Sequence, residues 1–303
     1  MSFPHGFLII DKPAGATSFA MVALVRRLTG VRRVGHAGTL DPLATGVLPV
    51  AVGHATRLIE YLDDQLKTYR ARIRFGATTD TYDADGQVLS TADASHLTAD
   101  DVEAALLAFV GWIQQRPPAF SAIKVAGKPM YRYARAGEAP EIAPRRVYVD
   151  AVHLLSYADG VADVELRCAR GTYVRSIAHD LGQAVGTGAY LEGLVRTASG
   201  GFTLDDARSP DELQALAADG TLDDALLAPD RALERMRVAI LGQPHTFAVM
   251  TGGRIDLRPV AGQAPPRRDE LCRAYSTGGE LLAVLRRRHD GLWHPEKVLR
   301  AAG

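Results

Sequence analysis

Cysteine is scarce in this chain. Its two cysteines, Cys168 and Cys272, stand far apart and in no CxxC pair, which argues against both a disulfide framework and a zinc knuckle. Net charge is missing too, since 35 Lys and Arg balance 35 Asp and Glu, so composition offers no general attraction for nucleic acid. No run approaches the roughly 20 apolar residues of a membrane span. The opening MSFPHGFLII has neither a basic stretch nor a small-residue cleavage site, so we expect a cytoplasmic protein without membrane contact. The nine histidines are dispersed, with no HExxH and no zinc-deaminase HxE and PCxxC pair, and no metal is expected. What is present is ordinary globular material: 303 residues, 47% hydrophobic and 23% charged, enough for one large domain and a small one.

Charge distribution says more than its sum. Lys124, Lys128, Arg132, Arg135, Arg145 and Arg146 face only Glu138 and Glu141 in their segment, which reads either as a basic surface or as a solvated loop. Phe7 to Ile10 predicts a strand that ends in a loop at Asp11-Lys12-Pro13, after which Ser18 reads as the N-cap of a helix closed by Gly30. A second helix is expected near Thr56. Strict alternation from Tyr69 to Phe75 puts Tyr69, Ala71, Ile73 and Phe75 on one strand face and three arginines on the other. Capping boxes at Thr98 and Ser209 predict helices, and Val147 to Leu155 and Val161 to Ala169 predict strands. Without regular strand-helix alternation, the class is α+β. From about Arg237, short apolar runs broken at Gly252-Gly253, Gly278-Gly279 and Asp290-Gly291 predict a small β domain of hairpins, with Ala264 to Arg268 an exposed loop.

One acid stands alone in Gly35 to Gly46, GHAGTLDPLATG. Pro42 biases Asp41 toward extended or turn geometry, and the glycines permit tight backbone paths around it. By spacing alone Asp41 reads as a turn or N-cap aspartate. A phosphate cradle fails, because the pattern lacks GxGxxG and Gly-Lys-Ser/Thr, and an acid in the loop repels phosphate. A second constellation is GTYVRSIAHDLG, in which Val174, Ile177, Ala178 and Leu181 form an apolar helical stripe. Arg175 then falls in the first turn, where the helix dipole disfavours a cation; it reads either as a surface arginine or as one awaiting an anion.

Taken together, these motifs resemble the bacterial tRNA pseudouridine-55 synthase family, TruB. Lys12 to Ser18 resembles its KPxGxTS block and GHAGTLDPLATG its active-site loop. Lys67 to Arg70 with Thr78 to Gly86 resembles the next block, Pro117 to Lys128 the thumb-like RNA-contacting loop, and GTYVRSIAHDLG with Leu194 to Thr197 the last. The likeness covers roughly residues 6 to 205. It implies a pseudouridine synthase fold: a mixed, largely antiparallel central sheet flanked by helices and loops, followed by a small C-terminal β-barrel, PUA-like domain. The domains would be 1–236, with a thumb-like loop at about 117–146, and 237–303.

The resemblance also implies roles. Asp41 would be the catalytic aspartate, Arg175 its ion-pair partner, and Tyr69 the ring stacked on the target uracil, with Tyr173 and Leu194 lining the same pocket. His36 would fill the gap left by the flipped uridine. Lys12, Lys124, Lys128, Arg132 and the arginines at 70, 72 and 74 would contact substrate or its phosphates. An arginine in contact with Asp41 would favour the ionised carboxylate and fix its direction. The partner implied is the TΨC stem-loop of tRNA, bound by a monomer without metal or organic cofactor. Two rivals are a non-catalytic tRNA-binding or RNA-folding protein on the same scaffold and a carboxylate-dependent nucleosidase; the basic thumb-like segment argues against so small a substrate as a free nucleoside.

Overall fold

The computed structural model describes residues 4–257 and 264–299 except positions 122, 126, 137, 139 and 141, and no side chain is described at 63, 124, 125, 129, 131, 134 or 135. Its strands are β1 Gly6–Lys12, β2 Val34–His36, β3 Thr45–Val52, β4 Lys67–Phe75, β5 Ala77–Thr79, β6 Val88–Thr91, β7 Gly111–Gln115, β8 Lys124–Val125, β9 Lys128–Pro129, β10 Arg145–Ala158, β11 Val161–Cys168, β12 Ala189–Ser199, β13 Phe202–Thr203, β14 Arg237–Leu241, β15 Leu271–Ser276, β16 Leu281–Arg287 and β17 Trp293–Val298. Its helices are α1 Ser18–Thr29, α2 Ile59–Asp63, α3 Ala99–Leu106, α4 Met130–Arg135, α5 Val174–Ala184, α6 Pro210–Ala218 and α7 Gln243–Met250.

The central sheet runs β1-β3-β12-β4-β11-β10-β7, with β2 on β3 and β13 on β12. It is antiparallel except where β12 lies parallel to β3, at Val195 opposite Thr45 and Arg196 opposite Gly46. Gly46 makes that approach possible: at φ 95° its absent Cβ would fall 2.3 Å from the Arg196 carbonyl oxygen. This glycine therefore serves the sheet next to the Asp41 loop.

Pleat and burial agree along β4. Ala71, Ile73 and Phe75 enter a core with Val164, Leu166, Ile177 and Leu181, which packs α5 and α3 on one sheet face. Arg72 and Arg74 turn to the opposite face, where both pair with Glu192 of β12 at 2.8 and 2.5 Å. A second core joins β1 and β3 to α1 and α6.

Two helix starts differ from expectation in an instructive way. The cap of α1 is Thr17, whose hydroxyl accepts from the Ala20 amide at 3.1 Å, while Ser18 is drawn inward by a partner in the Asp41 loop. Near Thr56 the chain first makes a 3₁₀ turn, Gly53–Leu58, before α2. The capping boxes at Thr98 and Ser209 are present.

Beyond residue 236 a second sheet runs β14-β15-β16-β17, with β14 parallel to β15. Gly278-Gly279 and Asp290-Gly291 close its two hairpins, but Gly252-Gly253 does not make one. That glycine pair instead follows α7, a helix begun by Pro244 in the first turn and not anticipated from short apolar runs. The two parts share a core, since Val284 and Leu299 pack with Tyr61, Ala232 and Leu233. Lys297 pairs with Glu60 at 2.8 Å, and Tyr275 donates to Asp230 at 2.7 Å across the same junction.

Candidate active site

Asp41 lies on the loop between β2 and β3, and that loop is held from beneath. Ser18 Oγ donates to the Leu40 carbonyl at 3.1 Å and accepts from the Leu40 amide at 2.9 Å. Lys12, fully buried, donates to the carbonyls of Pro13, Ala16 and Pro42 at 2.9, 2.8 and 3.3 Å, and Gly15 N–H donates to Pro42 as well. The residues on both sides of Asp41 are therefore fixed to the loop after β1. Burial pulls the Lys12 ammonium below its ordinary value, opposed by the charge of Asp41.

Arg175, second residue of α5, meets the Asp41 carboxylate at 2.8 Å. Its other terminal nitrogen meets Asp83 at 3.3 Å, and it also donates to the carbonyls of Thr81 and Phe120 at 3.1 and 3.0 Å. The two pairs differ in kind. Arg175 and Asp83 are buried, with side chains 6% and 8% exposed, whereas Asp41 is 42% exposed at the mouth. Burial pushes the Asp83 carboxyl above its ordinary value, against the pull of Thr81 and Arg175. One planar fork thus anchors in a dry carboxylate and aims a half-open one.

The start of α5 is locked by a buried amide. Gln115, at the end of β7, accepts from the Tyr173 N–H at 2.8 Å and donates to the Tyr173 carbonyl at 3.0 Å, while Ser176 Oγ donates to the Arg116 carbonyl at 2.8 Å. This replaces the side-chain cap that α5 lacks. Asp41, Arg175, Tyr69, Tyr173 and Leu194 then line one cavity of about 280 Å³. Lys67, Arg145, Arg170 and Arg196 complete a lining with five cations, Arg175 included, against the one carboxylate of Asp41, so its field favours an anionic ligand backbone. Arg145 spans the rim, with its guanidinium 5.1 Å from the Tyr173 ring centre and a hydrogen bond to the Gly171 carbonyl.

Known proteins share this chain's sequence as well as its architecture. Residues 26–174 match the TruB family pseudouridylate synthase N-terminal domain, and residues 175–234 the tRNA pseudouridylate synthase B C-terminal domain. A tRNA pseudouridine synthase B of Dehalococcoides mccartyi is 42% identical over 97% of this chain and 96% of its own. The chain belongs to the TruB family. Another relative of the same name, from Symbiobacterium thermophilum, is 50% identical over 78% of this chain and 79% of its own. Among solved structures, a Cbf5-Nop10-Gar1 complex contains a chain 26% identical, with a TM-score of 0.74 over 98% of this chain and 85% of that one. An H/ACA RNP bound to a substrate RNA containing 2'-deoxyuridine shares the fold at 24% identity, with a TM-score of 0.75 over 97% of this chain and 85% of that one.

Within this TruB fold some residues expected at the site stand elsewhere. Lys12 does not face a ligand; its ammonium is spent on backbone carbonyls beneath the loop. Arg72 and Arg74 are engaged by Glu192 on the sheet face away from the Tyr69 cavity. His36 is a half-buried residue of β2, opposite Val50 in β3 and outside the cavity lining. Lys128 lies 4.3 Å over the Tyr133 ring and Arg132 is exposed on α4, whereas the Lys124 side chain lies outside the described residues. Sequence reasoning missed Asp83, Gln115, Ser18 and Arg196. Asp83 stands within the Thr78 to Gly86 family block with nothing local to single it out, and Gln115 carries no local signal.

Proposed function

We propose that this TruB-family protein converts uridine 55 in the TΨC arm of tRNA to pseudouridine, and that Asp41 is the group on which the chemistry turns. The support is the Asp41 carboxylate, held by Arg175 at the mouth of a cationic cavity that contains Tyr69. The target uridine leaves its stack and enters the cavity, where the Tyr69 ring takes its face; base-aromatic stacking is worth about 1–3 kcal/mol. The bond from C1′ to N1 breaks, the uracil turns, and C1′ joins C5. N1 ends with a proton and C5 without its own, so atoms balance with no co-reactant. A carboxylate beside the ribose serves attack at C1′, attack at C6 or proton abstraction at C2′.

Arg175 keeps Asp41 aimed, Tyr173 and Leu194 shape the pocket, and His36 fills the gap in the RNA. Lys124, Lys128 and Arg132, in the thumb-like loop at about 117–146, take phosphates, which position RNA without reading its sequence. The catalytic part spans 1–236 and the PUA-like part 237–303, and the enzyme works as a monomer in the cytoplasm without metal or cofactor. Incubation with an unmodified tRNA transcript tests the substrate assignment. Pseudouridine should map to position 55 and vanish when that uridine is replaced by cytidine; product elsewhere in the transcript would refute it.

A further inference from the structure

Arg196, 1% exposed on β12, is the most deeply buried arginine among the described residues, and beyond its charge in the cavity lining no role assigned so far uses it. It stands where three elements meet. Its backbone lies opposite Gly46 of β3 on one side and Tyr69 of β4 on the other. Its guanidinium donates from Nε to the Val47 carbonyl at 2.7 Å and from Nη2 to the Gly38 carbonyl at 2.9 Å, and the side chain shares the cavity wall with Tyr69, its cross-strand neighbour. Both acceptors are neutral oxygens. A cation buried on such acceptors is harder to desolvate than an apolar chain of similar volume, so packing alone does not account for arginine here.

The acceptors explain it better. Gly38 lies three residues before Asp41 and Val47 six after, so one end of the fork holds the loop on both flanks of the carboxylate. The side chain also stands beside the Tyr69 ring, its cross-strand neighbour in the cavity wall. Gly38 itself is shaped to this contact: its φ is 72°, and a Cβ there would stand 3.2 Å from Arg196 Nη1. The planar fork matches this set, whereas a lysine ammonium is a point charge on a flexible stem.

We propose that Arg196 is a positioning residue for the isomerisation, setting the Tyr69 ring and the Asp41 loop at a fixed separation so that base and carboxylate stay in register. This rests on the function proposed above. Arg196 touches no substrate in this account; it acts through Tyr69 and the 38–47 backbone.

The test is a double-mutant cycle read in single turnover with enzyme in excess, so that losses of several orders are measurable, alongside tRNA binding by filter retention. Arg196→Met should slow pseudouridine formation by about 10- to 100-fold, as a misplacement near 1 Å does, with tRNA affinity changed less than about threefold. Arg196→Lys should recover part of the rate. In a Tyr69→Leu background the same Arg196→Met change should lose several-fold less, because the ring that Arg196 positions is already gone. Equal losses in both backgrounds, or a loss carried by affinity instead of rate, would overturn the proposal. If Arg196→Met does not fold, Arg196→Lys takes its place in the cycle with the same two criteria. Absence of product from the unaltered chain would overturn the proposed function, and the role of Arg196 with it.

Discussion

Replacing Arg175 by methionine should damage stability and activity through different carboxylates, and a second substitution should separate them. Arg175 and Asp83 form a buried pair, so removing the cation leaves a buried charge alone, a change that ordinarily destabilises by about 3–5 kcal/mol. Asp41 is 42% exposed, and its own pairing is screened to about 1 kcal/mol or less of stability. Its loss matters through aim. Arg175→Met should therefore lower folding stability by several kcal/mol and the isomerisation rate by about 100-fold or more. Adding Asp83→Asn removes the stranded charge, and urea unfolding at pH 7.5 should regain roughly 2 kcal/mol of the deficit. The rate should not return, because Asp41 still lacks its fork. The pH dependence follows from the sign at Asp83. Burial already raises its folded value, more so without Arg175, so the penalty grows as pH rises through the carboxylate range and shrinks near pH 4, about the unfolded value. A double variant no more stable than Arg175→Met, or one that regains activity, would refute this division.

Three further outcomes follow from the same geometry. Arg132→Ala should weaken tRNA binding and reduce the salt slope of log K by about one phosphate contact, whereas Arg72→Ala and Arg74→Ala, whose parents pair with Glu192, should leave both unchanged; equal effects would contradict the assignment of faces. Asp180 on α5 is pushed up to about 6 by burial, so its ionised form destabilises the fold increasingly from about pH 4 and fully above about 6. Thermal melts of Asp180→Asn should thus coincide with the parent at pH 4 and show a gain of up to about 3 kcal/mol at pH 8. Lys12→Met should slow the reaction by loosening the Asp41 loop while leaving the salt slope of tRNA binding intact; a slope reduced by about one would return Lys12 to the RNA surface.

Local pattern carried much of the fold. Alternation predicts β4, capping boxes predict α3 and α6, and turn pairs predict two of the C-terminal hairpins, because each depends on neighbours a few residues apart. The order of the sheet is not local: nothing near residue 196 says that β12 enters between β3 and β4, parallel to one and antiparallel to the other. The site has the same division. GHAGTLDPLATG marks a loop with one acid, but that Arg175 reaches it came only from family likeness, and its second partner Asp83 lies 92 residues earlier in the chain. Lys12 and Ser18 were misread for one reason. Each has a side chain that looks suited to another task, substrate for the lysine and a helix cap for the serine, whereas Ser18 is held by Leu40 and Lys12 by the carbonyls of Pro13, Ala16 and Pro42. Buried hydrogen bonds of this length are set by topology, and only coordinates reveal them.

The assignment of chemistry to Asp41 is tested most directly by comparing the parent with Asp41→Asn on unmodified tRNA. The substitution keeps the size of the side chain and removes its charge. The account predicts retained tRNA binding with pseudouridine at position 55 lost by several orders of magnitude; equal pseudouridine from both proteins would contradict it.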